Sequence, residues 1–225
     1  TTITTQGDIL YRDGSGLQRL AAGTAGQVLQ TGGSGANPSW TAVSSDFVKL
    51  ANGSHTGATD LVIDNLDTST YRFFRLHMDG MIGETSSTQA LYLRYRYNNS
   101  GTQTTYTVAA YTYRIFGKYV KNGTGDAGET SGTSEEGEIR INWAISKNTH
   151  ARHTQSSIIQ FSDLATSSHH RDCFIQSFGT YYNNDEYSQY NTGMGICRNI
   201  SNPFNGFVIY GSNNWKCDWQ VYGLK

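Results

Sequence analysis

The chain has 225 residues, a formal net charge of −1 and only 16% charged residues. A nucleic-acid-binding protein is not expected, because phosphate neutralisation requires clustered Lys and Arg. Membrane insertion is not expected either, since no apolar run approaches the roughly 18 residues of a membrane span. Gly, Thr, Asn, Ser and Tyr are abundant while helix formers are scarce, which predicts an all-β protein.

Residues 1–45 are rich in Gly, Thr, Ser and Ala. The start of the chain lacks a secretory signal and an initiator Met, so we expect a fragment of a longer protein. Short strands are predicted at Gly7–Arg12 and Leu17–Ala22. A capped helical turn is predicted over Gly23–Leu29, with Thr24 as N-cap.

The large apolar residues of this first segment are too few to bury a core within one chain. Such a polar segment orders only when partners supply the missing surface, and three copies around an axis would let these residues meet. A flexible linker is the alternative, although a linker has no use for periodic Leu, Val and Trp. The segment is therefore predicted to be an intertwined trimerising neck (residues 1–45), with interface residues Ile9, Leu10, Leu17, Leu20, Val28, Leu29 and Trp40.

From residue 46 to 225, alternation of apolar and polar residues predicts strands with one buried face. In Ala90–Tyr97 the odd positions face inward. In Glu138–Ser146 the Ile residues and Trp143 face inward and Asn142 faces water. Turn residues separate about nine or ten such strands, which predicts a jelly-roll-like antiparallel β-sandwich head. The others are Leu61–Ile63, Phe73–Met78, Thr104–Phe116, Ser157–Phe161, Phe174–Tyr181, Tyr190–Ile196, Phe207–Tyr210 and Lys216–Tyr222.

One long polar segment and three cysteines complete the head. Lys121–Gly137 contains no apolar anchor and is predicted to be a solvent loop. Cys173, Cys197 and Cys217 are odd in number and widely spaced, which argues against a disulfide framework. Cys173 and Cys217 fall on apolar strand faces, so buried free thiols are predicted.

Two aromatic and amide-rich segments are candidate saccharide sites, one in a predicted loop and one at a predicted hairpin tip. Flat rings bind the C–H faces of sugars and planar amides bind their hydroxyl groups. The alternative is that Tyr fills the core or a trimer interface while Asn makes turns. The candidate ligand-binding residues are Tyr181, Tyr182, Asn183, Asn184, Asp185, Tyr187, Asn213, Asn214 and Trp215.

Catalysis is not predicted. The most acidic run lies in one short stretch of sequence and comprises Glu135, Glu136 and Glu138. Glycoside hydrolysis instead needs two carboxylates that face each other across a cleft. No Gly-x-Ser-x-Gly, His-Glu-x-x-His or phosphate-binding loop pattern occurs, and these acids are interpreted as a solvated charge run.

The histidine clusters do not predict a metal site. His169 and His170 are adjacent, and adjacent strand residues point to opposite faces. His150 and His153 have a spacing that suits a helix, which the surrounding residues do not favour. No metal or other cofactor is expected.

Four segments of the neck resemble, in order, a module of bacteriophage tail fibres, especially those of marine and cyanobacterial phages. The match covers most of residues 5–43 and implies a trimeric neck that carries a distal head. The matching segments are Gln6–Tyr11, Leu17–Leu20, Gly23–Leu29 and Asn37–Trp40.

The rest of the chain resembles, more loosely, the C-terminal β-sandwich heads of such fibres. The similarity lies in Tyr71–Phe74, Gly206–Tyr210 and the terminal Val221–Lys225. Some fibres thread iron along the trimer axis through His-x-His pairs, and this chain has none, so a metal-cored shaft is not implied.

The resemblance implies a homotrimeric tail fibre of the virion, assembled in the host cytoplasm. It would bind other tail proteins through a part preceding residue 1 and adsorb non-covalently to a bacterial cell-surface receptor, expected to be a saccharide. Two alternatives remain open from the residues. One is a polysaccharide depolymerase with acids drawn from separate strands, and the other is a passive capsid-surface decoration fibre.

Overall fold

The computed structural model describes residues 3–43, 46–85, 88–107, 111–121, 127–142, 144–146, 154–165, 169–182, 186–198 and 203–225. The described residues form strands, turns and irregular segments but no helix, so the all-β prediction is confirmed. None of them therefore belongs to a helix that could cross a membrane. The strands are β1 Ile9–Arg12, β2 Leu17–Leu20, β3 Gln27–Gln30, β4 Ser39–Ala42, β5 Phe47–Ile63, β6 Phe73–Gly83, β7 Tyr92–Asn99, β8 Thr102–Thr105, β9 Tyr111–Lys121, β10 Ala127–Glu136, β11 Ile139–Arg140, β12 Gln155–Phe161, β13 Arg171–Tyr182, β14 Glu186–Cys197 and β15 Gly206–Leu224.

The chain divides into two compact units, Thr1–Asp46 and Phe47–Lys225. The boundary lies one residue after the one predicted from composition, which separated residues 1–45 from 46–225. The first unit is the neck and the second is the head. The neck contains two antiparallel hairpins, β1–β2 and β3–β4, each a separate two-stranded sheet.

The second neck hairpin corrects the helical turn predicted over Gly23–Leu29. Gln27 begins β3, which pairs with β4 so that Val28 lies opposite Thr41. The backbone N–H of Gln27 donates to the carbonyl of Thr24 at 3.1 Å, while the Thr24 N–H donates to the Gln27 side chain at 2.8 Å. Thr24 therefore closes a tight turn, and the helical prediction is wrong because a partner strand satisfies the backbone of β3.

Asp8 organises the first neck hairpin through polar contacts. Its carboxylate accepts hydrogen bonds from the N–H groups of Thr4 at 3.0 Å and Thr5 at 2.8 Å. It also forms an ion pair with Arg19 of β2, whose Nε lies 2.7 Å away. Although desolvation acts to raise it, these hydrogen bonds lower the pKa of Asp8 to about 2, so the carboxylate is ionised at neutral pH.

The neck buries none of its described apolar residues, and the Asp8 side chain is buried by its polar partners. Four of the predicted interface residues are exposed, namely Leu10 (45%), Leu17 (57%), Val28 (45%) and Leu29 (47%). Ile9, Leu20 and Trp40 are half-buried, and the Trp40 indole N–H donates to the Ala21 carbonyl at 2.7 Å.

The head is one 11-stranded antiparallel sheet, ordered β10-β9-β14-β13-β12-β6-β15-β7-β11, with β5 on β15 and β8 on β7. The long strand β15 makes this sheet curl. Residues Gly206–Tyr210 of β15 pair with β7, and residues Trp215–Leu224 pair largely with β6. Strand β5 pairs along the opposite edge of β15. One core lies inside the curl.

The core is aromatic and aliphatic. Tyr95 of β7 is fully buried and its ring centroid lies 5.1 Å from that of Phe204. Phe161 stacks on Phe207 at 4.5 Å. The predicted inward face of Ala90–Tyr97 is confirmed for Leu91, Leu93 and Tyr95, which are fully buried, while Tyr97 is half-buried against the core. The predicted buried free thiols are confirmed for Cys173 and Cys217, and Cys197 is a buried free thiol as well.

The predicted strand Glu138–Ser146 is only partly correct. β11 covers two of its residues, Ile139–Arg140, and Trp143 lies outside the described residues. Asn142 is fully buried, not turned to water, because its side-chain oxygen accepts the N–H of Leu91 at 2.8 Å. The amide thus supplies a hydrogen bond that a strand neighbour would otherwise supply.

Two other strand and loop predictions change as well. The predicted loop Lys121–Gly137 is wrong for Ala127–Glu136, which forms β10 and pairs with β9 from Tyr111 to Val120. Backbone pairing needs no apolar side chain, so a polar sequence can form an edge strand. Residues 122–126 lie outside the described residues. The predicted strand Thr104–Phe116 divides between β8 and β9.

Candidate functional site

The first predicted ligand-binding cluster lies at the β13–β14 hairpin. Tyr181 and Tyr182 end β13, and Tyr181 lies opposite Tyr187 in the register of the pair. Asn183, Asn184 and Asp185, which connect the two strands, lie outside the described residues. The contacts of this hairpin with a ligand remain a prediction.

The second predicted cluster is not a hairpin tip, because Asn213, Asn214 and Trp215 lie within β15. The Asn213 backbone exchanges hydrogen bonds with the Gln89 amide, at 2.7 and 2.9 Å. Trp215 is fully buried and its indole N–H donates to the carbonyl of Thr59 at 2.7 Å. The hairpin prediction is wrong, and the Trp215 ring packs in the core instead of facing solvent.

The most conspicuous surface of the head is one face of the strands β9, β14, β13, β12 and β6, here called the outer face. On β13, Cys173 and Ile175 point into the core while Phe174 and Phe178 point outward. The exposed large apolar residues of the outer face are Phe73 (49%), Phe116 (50%), Val120 (42%), Phe174 (43%), Phe178 (47%), Tyr190 (47%) and Met194 (51%).

The strand register brings these side chains onto one face, where exposed Lys118 and Arg114 lie between them. Met194 lies opposite Phe174, and Tyr190 lies opposite Phe178. At about 100 Å² for each half-exposed ring, the seven side chains leave about 600 Å² open to solvent. That is as large as the largest apolar patch of an ordinary monomer, and such patches mark binding surfaces.

One end of the outer face forms an open cleft of about 230 Å³. Its floor is apolar, because Phe161 and Cys173 belong to the core. Burial raises the pKa of the Cys173 thiol to about 12, against hydrogen bonds from Tyr95 and the Gly195 backbone, so the sulfur stays protonated and unreactive at neutral pH. The cleft is lined by Phe73, Gln160, Phe161, Ser162, Asp172, Cys173, Phe174 and Met194.

The rim of the cleft combines rings with polar groups. Phe73 and Phe174 present apolar ring surface beside the Asp172 carboxylate and the Gln160 amide. Backbone pairing fixes the rim, since the Ser162 N–H donates to the Asp172 carbonyl at 3.0 Å. A carboxylate, an amide and two ring surfaces on one rigid sheet match the chemistry of a saccharide, which offers both hydroxyl groups and apolar C–H faces.

A second cavity, of about 240 Å³, contains two acids on neighbouring strands. Asp79 of β6 lies opposite Asp218 of β15, and the Ser54 hydroxyl donates to the Asp218 carboxylate at 2.5 Å. His55 also lines this cavity. Burial lowers the pKa of His55, against a hydrogen bond with the Ala58 carbonyl that raises it, so the ring is predominantly neutral at pH 7.

The acidic run considered for catalysis is divided by the fold. Glu135 and Glu136 belong to the edge strand β10. Glu138 is half-buried and forms an ion pair with Arg94 at 3.2 Å, and its carboxylate also accepts the hydroxyl proton of Tyr210. Glu138 is therefore a structural partner of β7 and β15, which corrects its interpretation as part of a solvated charge run.

The outer face was not among the predicted binding surfaces, although the pattern of apolar residues in the sequence indicated it. The predicted strand Phe174–Tyr181 has large apolar residues at both parities, with Ile175 between Phe174 and Phe178. A strand that is apolar on both faces is either covered on both sides or exposes a binding surface. Comparison with known proteins finds no matching family model, curated protein or solved structure.

Proposed function

We propose that this chain is the receptor-binding end of a bacteriophage tail fibre. Three copies form an intertwined neck, and each copy carries a jelly-roll-like sandwich head. The heads attach the virion to a bacterial surface saccharide by non-covalent binding, without a cofactor. Many weak contacts combine on one particle, because each trimer offers three heads.

The observation that carries this proposal is the absence of a buried apolar residue among the described residues of the neck. An isolated two-stranded hairpin is marginally stable in water. In the neck the exposed Leu10, Leu17 and Leu29 side chains add no buried apolar area to stabilise the two hairpins. The polar contacts of Asp8 hold the first hairpin in shape and leave Leu10 and Leu17 on its surface. Three such necks would bury them in one shared core.

The cleft of the outer face supports saccharide binding by the head. Its polar rim would hold hydroxyl groups, and Phe73 and Phe174 would pack on the apolar face of a sugar ring. Its open shape suits one or two residues of a surface polysaccharide. The tyrosines of the β13–β14 hairpin are a second predicted contact, on the same pair of strands.

Light scattering of the purified chain and competition for phage adsorption test the proposal together. We expect a trimeric mass, and soluble protein that labels host cells or a glycan array and blocks adsorption. Asp172→Ala should weaken that binding, whereas Asp60→Ala, an exposed Asp of β5, should not. Tyr182→Ala tests the hairpin in the same assay.

Each result of that experiment has a separate meaning. A monomer with an ordered neck contradicts the fibre assignment. A trimer that neither labels cells nor blocks adsorption supports a passive decoration fibre instead. Binding that Asp172→Ala leaves unchanged removes the cleft from the proposal but not the fibre.

A second candidate function is polysaccharide hydrolysis, favoured by the pairing of Asp79 with Asp218. Directly opposed strand residues have Cβ atoms about 5 Å apart, which suits the carboxylate pair of a retaining glycosidase. However, a general acid needs a carboxyl group that burial keeps protonated, and both residues are exposed. Binding is therefore the preferred function.

Release of reducing ends from host polysaccharide separates the two functions. Sustained release by the wild-type trimer that Asp218→Asn abolishes would establish hydrolysis. If the wild type and Asp218→Asn both bind polysaccharide and release no reducing ends, the paired acids have no catalytic role.

A further inference from the structure

The cleft of the outer face carries a single acidic side chain. Among the described residues that line it, Asp172 is the only Asp, Glu, Lys, Arg or His. Asp172 is exposed, and no described residue forms an ion pair with it. Its backbone is fixed, because the Ser162 hydroxyl accepts the Asp172 N–H at 3.3 Å and donates to the Asp172 carbonyl at 3.2 Å. The residue is therefore held in place while its carboxylate stays open to a ligand.

The arginines that border this end of the head do not neutralise the Asp172 carboxylate. Strand β15 lies between β6 and β5, so a guanidinium group of β6 that reaches a ring of β5 points away from the cleft. Each of the three arginines has a contact of its own: Arg72 with Asp163 at 3.1 Å, Arg75 with the centre of the Phe47 ring at 4.5 Å, and Arg114 with the centre of the Phe116 ring at 5.6 Å.

The strand register shapes the cleft into a slot with aromatic walls. Ser162 directly follows β12 and, by the register of β12 with β6 and β13, lies between Phe73 and Asp172. Phe174 lies two residues beyond Asp172 on the same face of β13. Phe73 and Phe174 thus stand on strands about 10 Å apart, because neighbouring strands are separated by about 4.8 Å. The small Ser162 side chain leaves the space between these walls open.

A carboxylate beside exposed ring faces suits a positively charged ligand group. The face of an aromatic ring carries negative potential, and aromatic sites bind alkylammonium groups by this attraction. Phe73 and Phe174 are 49% and 43% exposed, so both rings can be reached. Met194 lies opposite Phe174 and adds a polarisable thioether to the same wall. A negatively charged group in the slot would instead be repelled by Asp172.

We infer that the cleft selects a saccharide that carries an ammonium group, either on an amino sugar without its acetyl group or on a choline substituent. This inference rests on the saccharide binding of the proposed function and names the kind of saccharide. The ammonium group lies between Phe73 and Phe174, and Asp172 supplies the opposite charge. The Gln160 amide at the rim then meets hydroxyl groups of the sugar. N-acetylation abolishes the positive charge and therefore the selectivity.

Two oligosaccharides with the same backbone test this selectivity in the full-length protein. An immobilised glucosamine oligomer presents ammonium groups in mildly acidic buffer, and an N-acetylglucosamine oligomer is its neutral match. We expect biolayer interferometry to give about ten-fold tighter binding to the glucosamine oligomer, because the ion pair and the ring contacts favour only the cation. Asp172→Asn, which keeps the size of the side chain, should make the two affinities equal. Asp60→Asn on β5 should keep the difference.

Choline and its uncharged analogue 3,3-dimethylbutanol distinguish the two sources of the cation. The two molecules have the same shape and differ in charge. If the natural ligand carries choline, saturation-transfer NMR should detect choline on the wild type and should detect neither molecule on Asp172→Asn. Phe73→Leu, which keeps an apolar side chain but removes the ring, should weaken the binding of whichever cation the wild type prefers.

A preference for either cation that Asp172→Asn removes supports the ammonium site. A preference that Asp172→Asn keeps places the cation elsewhere and overturns the inference. Equal binding of the charged and neutral probes in both pairs, or binding of none of them, overturns it as well. Labelling of host cells by the same wild-type protein then decides the proposed function separately. Cells that are still labelled leave adsorption by the head intact, and cells that are not labelled contradict it.

Discussion

The neck and the head are built from the same secondary structure but reach stability differently. In the head, β15 pairs with β5, β6 and β7, so each long strand brings its apolar face into one core. In the neck, each hairpin is a sheet by itself, and Leu10, Leu17, Val28 and Leu29 stay exposed. Local pairing therefore suffices to form strands, but only many stacked or curled strands exclude water.

The largest expected effect is complete loss of the trimer in Leu17→Asp. Leu17 is the most exposed apolar residue of β1–β4, and a carboxylate there would be desolvated in three copies at once. Analytical ultracentrifugation should give a third of the wild-type mass, while circular dichroism of the head is unchanged. Ser15→Asp, in the exposed turn of the same hairpin, should remain trimeric, and equal loss in both variants would contradict a specific interface.

The next largest effect is a loss of head stability of about 3–5 kcal/mol in Phe207→Ala, because a buried ring leaves a cavity. Phe207 is fully buried and stacks on Phe161. Denaturant unfolding of the full chain should show this loss, with Phe73→Ala as the exposed control at less than about 1 kcal/mol. Similar losses in the two variants would mean that Phe73 is also covered.

A smaller effect is expected at the cleft, where Asp172→Ala should weaken saccharide binding about ten-fold. That loss corresponds to about 1.4 kcal/mol, the scale of a hydrogen bond made by a charged group. Titration calorimetry measures this loss of affinity with the saccharide that the wild type binds on the glycan array. Asp60→Ala, which removes the same charge from a distant strand, should bind as the wild type does.

The smallest expected effect is a pH dependence of the neck. The pKa of Asp8 is about 2 in the folded neck, below the 3.8 of an unperturbed Asp. Ionised Asp8 therefore stabilises the neck fully above pH 3.8, progressively less between pH 3.8 and 2, and not at all below. The trimer fraction, followed by light scattering from pH 5 to 2, should fall in that window.

Asp8→Asn provides the control for this pH dependence. The amide cannot form the ion pair with Arg19, so the neck should be weaker at neutral pH and less sensitive to acid. A wild-type trimer that is unchanged at pH 2 would separate neck stability from Asp8.

The strands of the head were largely predictable, whereas its surfaces were not. Alternation predicted the inward face of Ala90–Tyr97, because Leu91, Leu93 and Tyr95 are buried and the residues between them are not. It could not show that β15 continues through Asn213 and Asn214, since these residues are equally common in turns. The cleft was not predictable, because its residues come from β6, β12, β13 and β14.

The amino-acid sequence alone determined that the chain is built of strands, that its thiols are buried, and that residues 1–45 carry few large apolar groups. Period-two patterns and composition suffice for those conclusions. Only the tertiary structure decided that Trp215 and Asn142 are interior and that Phe174, Phe178 and Tyr190 face outward. A strand pattern defines two faces, but the neighbouring strands and the curl of the sheet determine which of them water reaches.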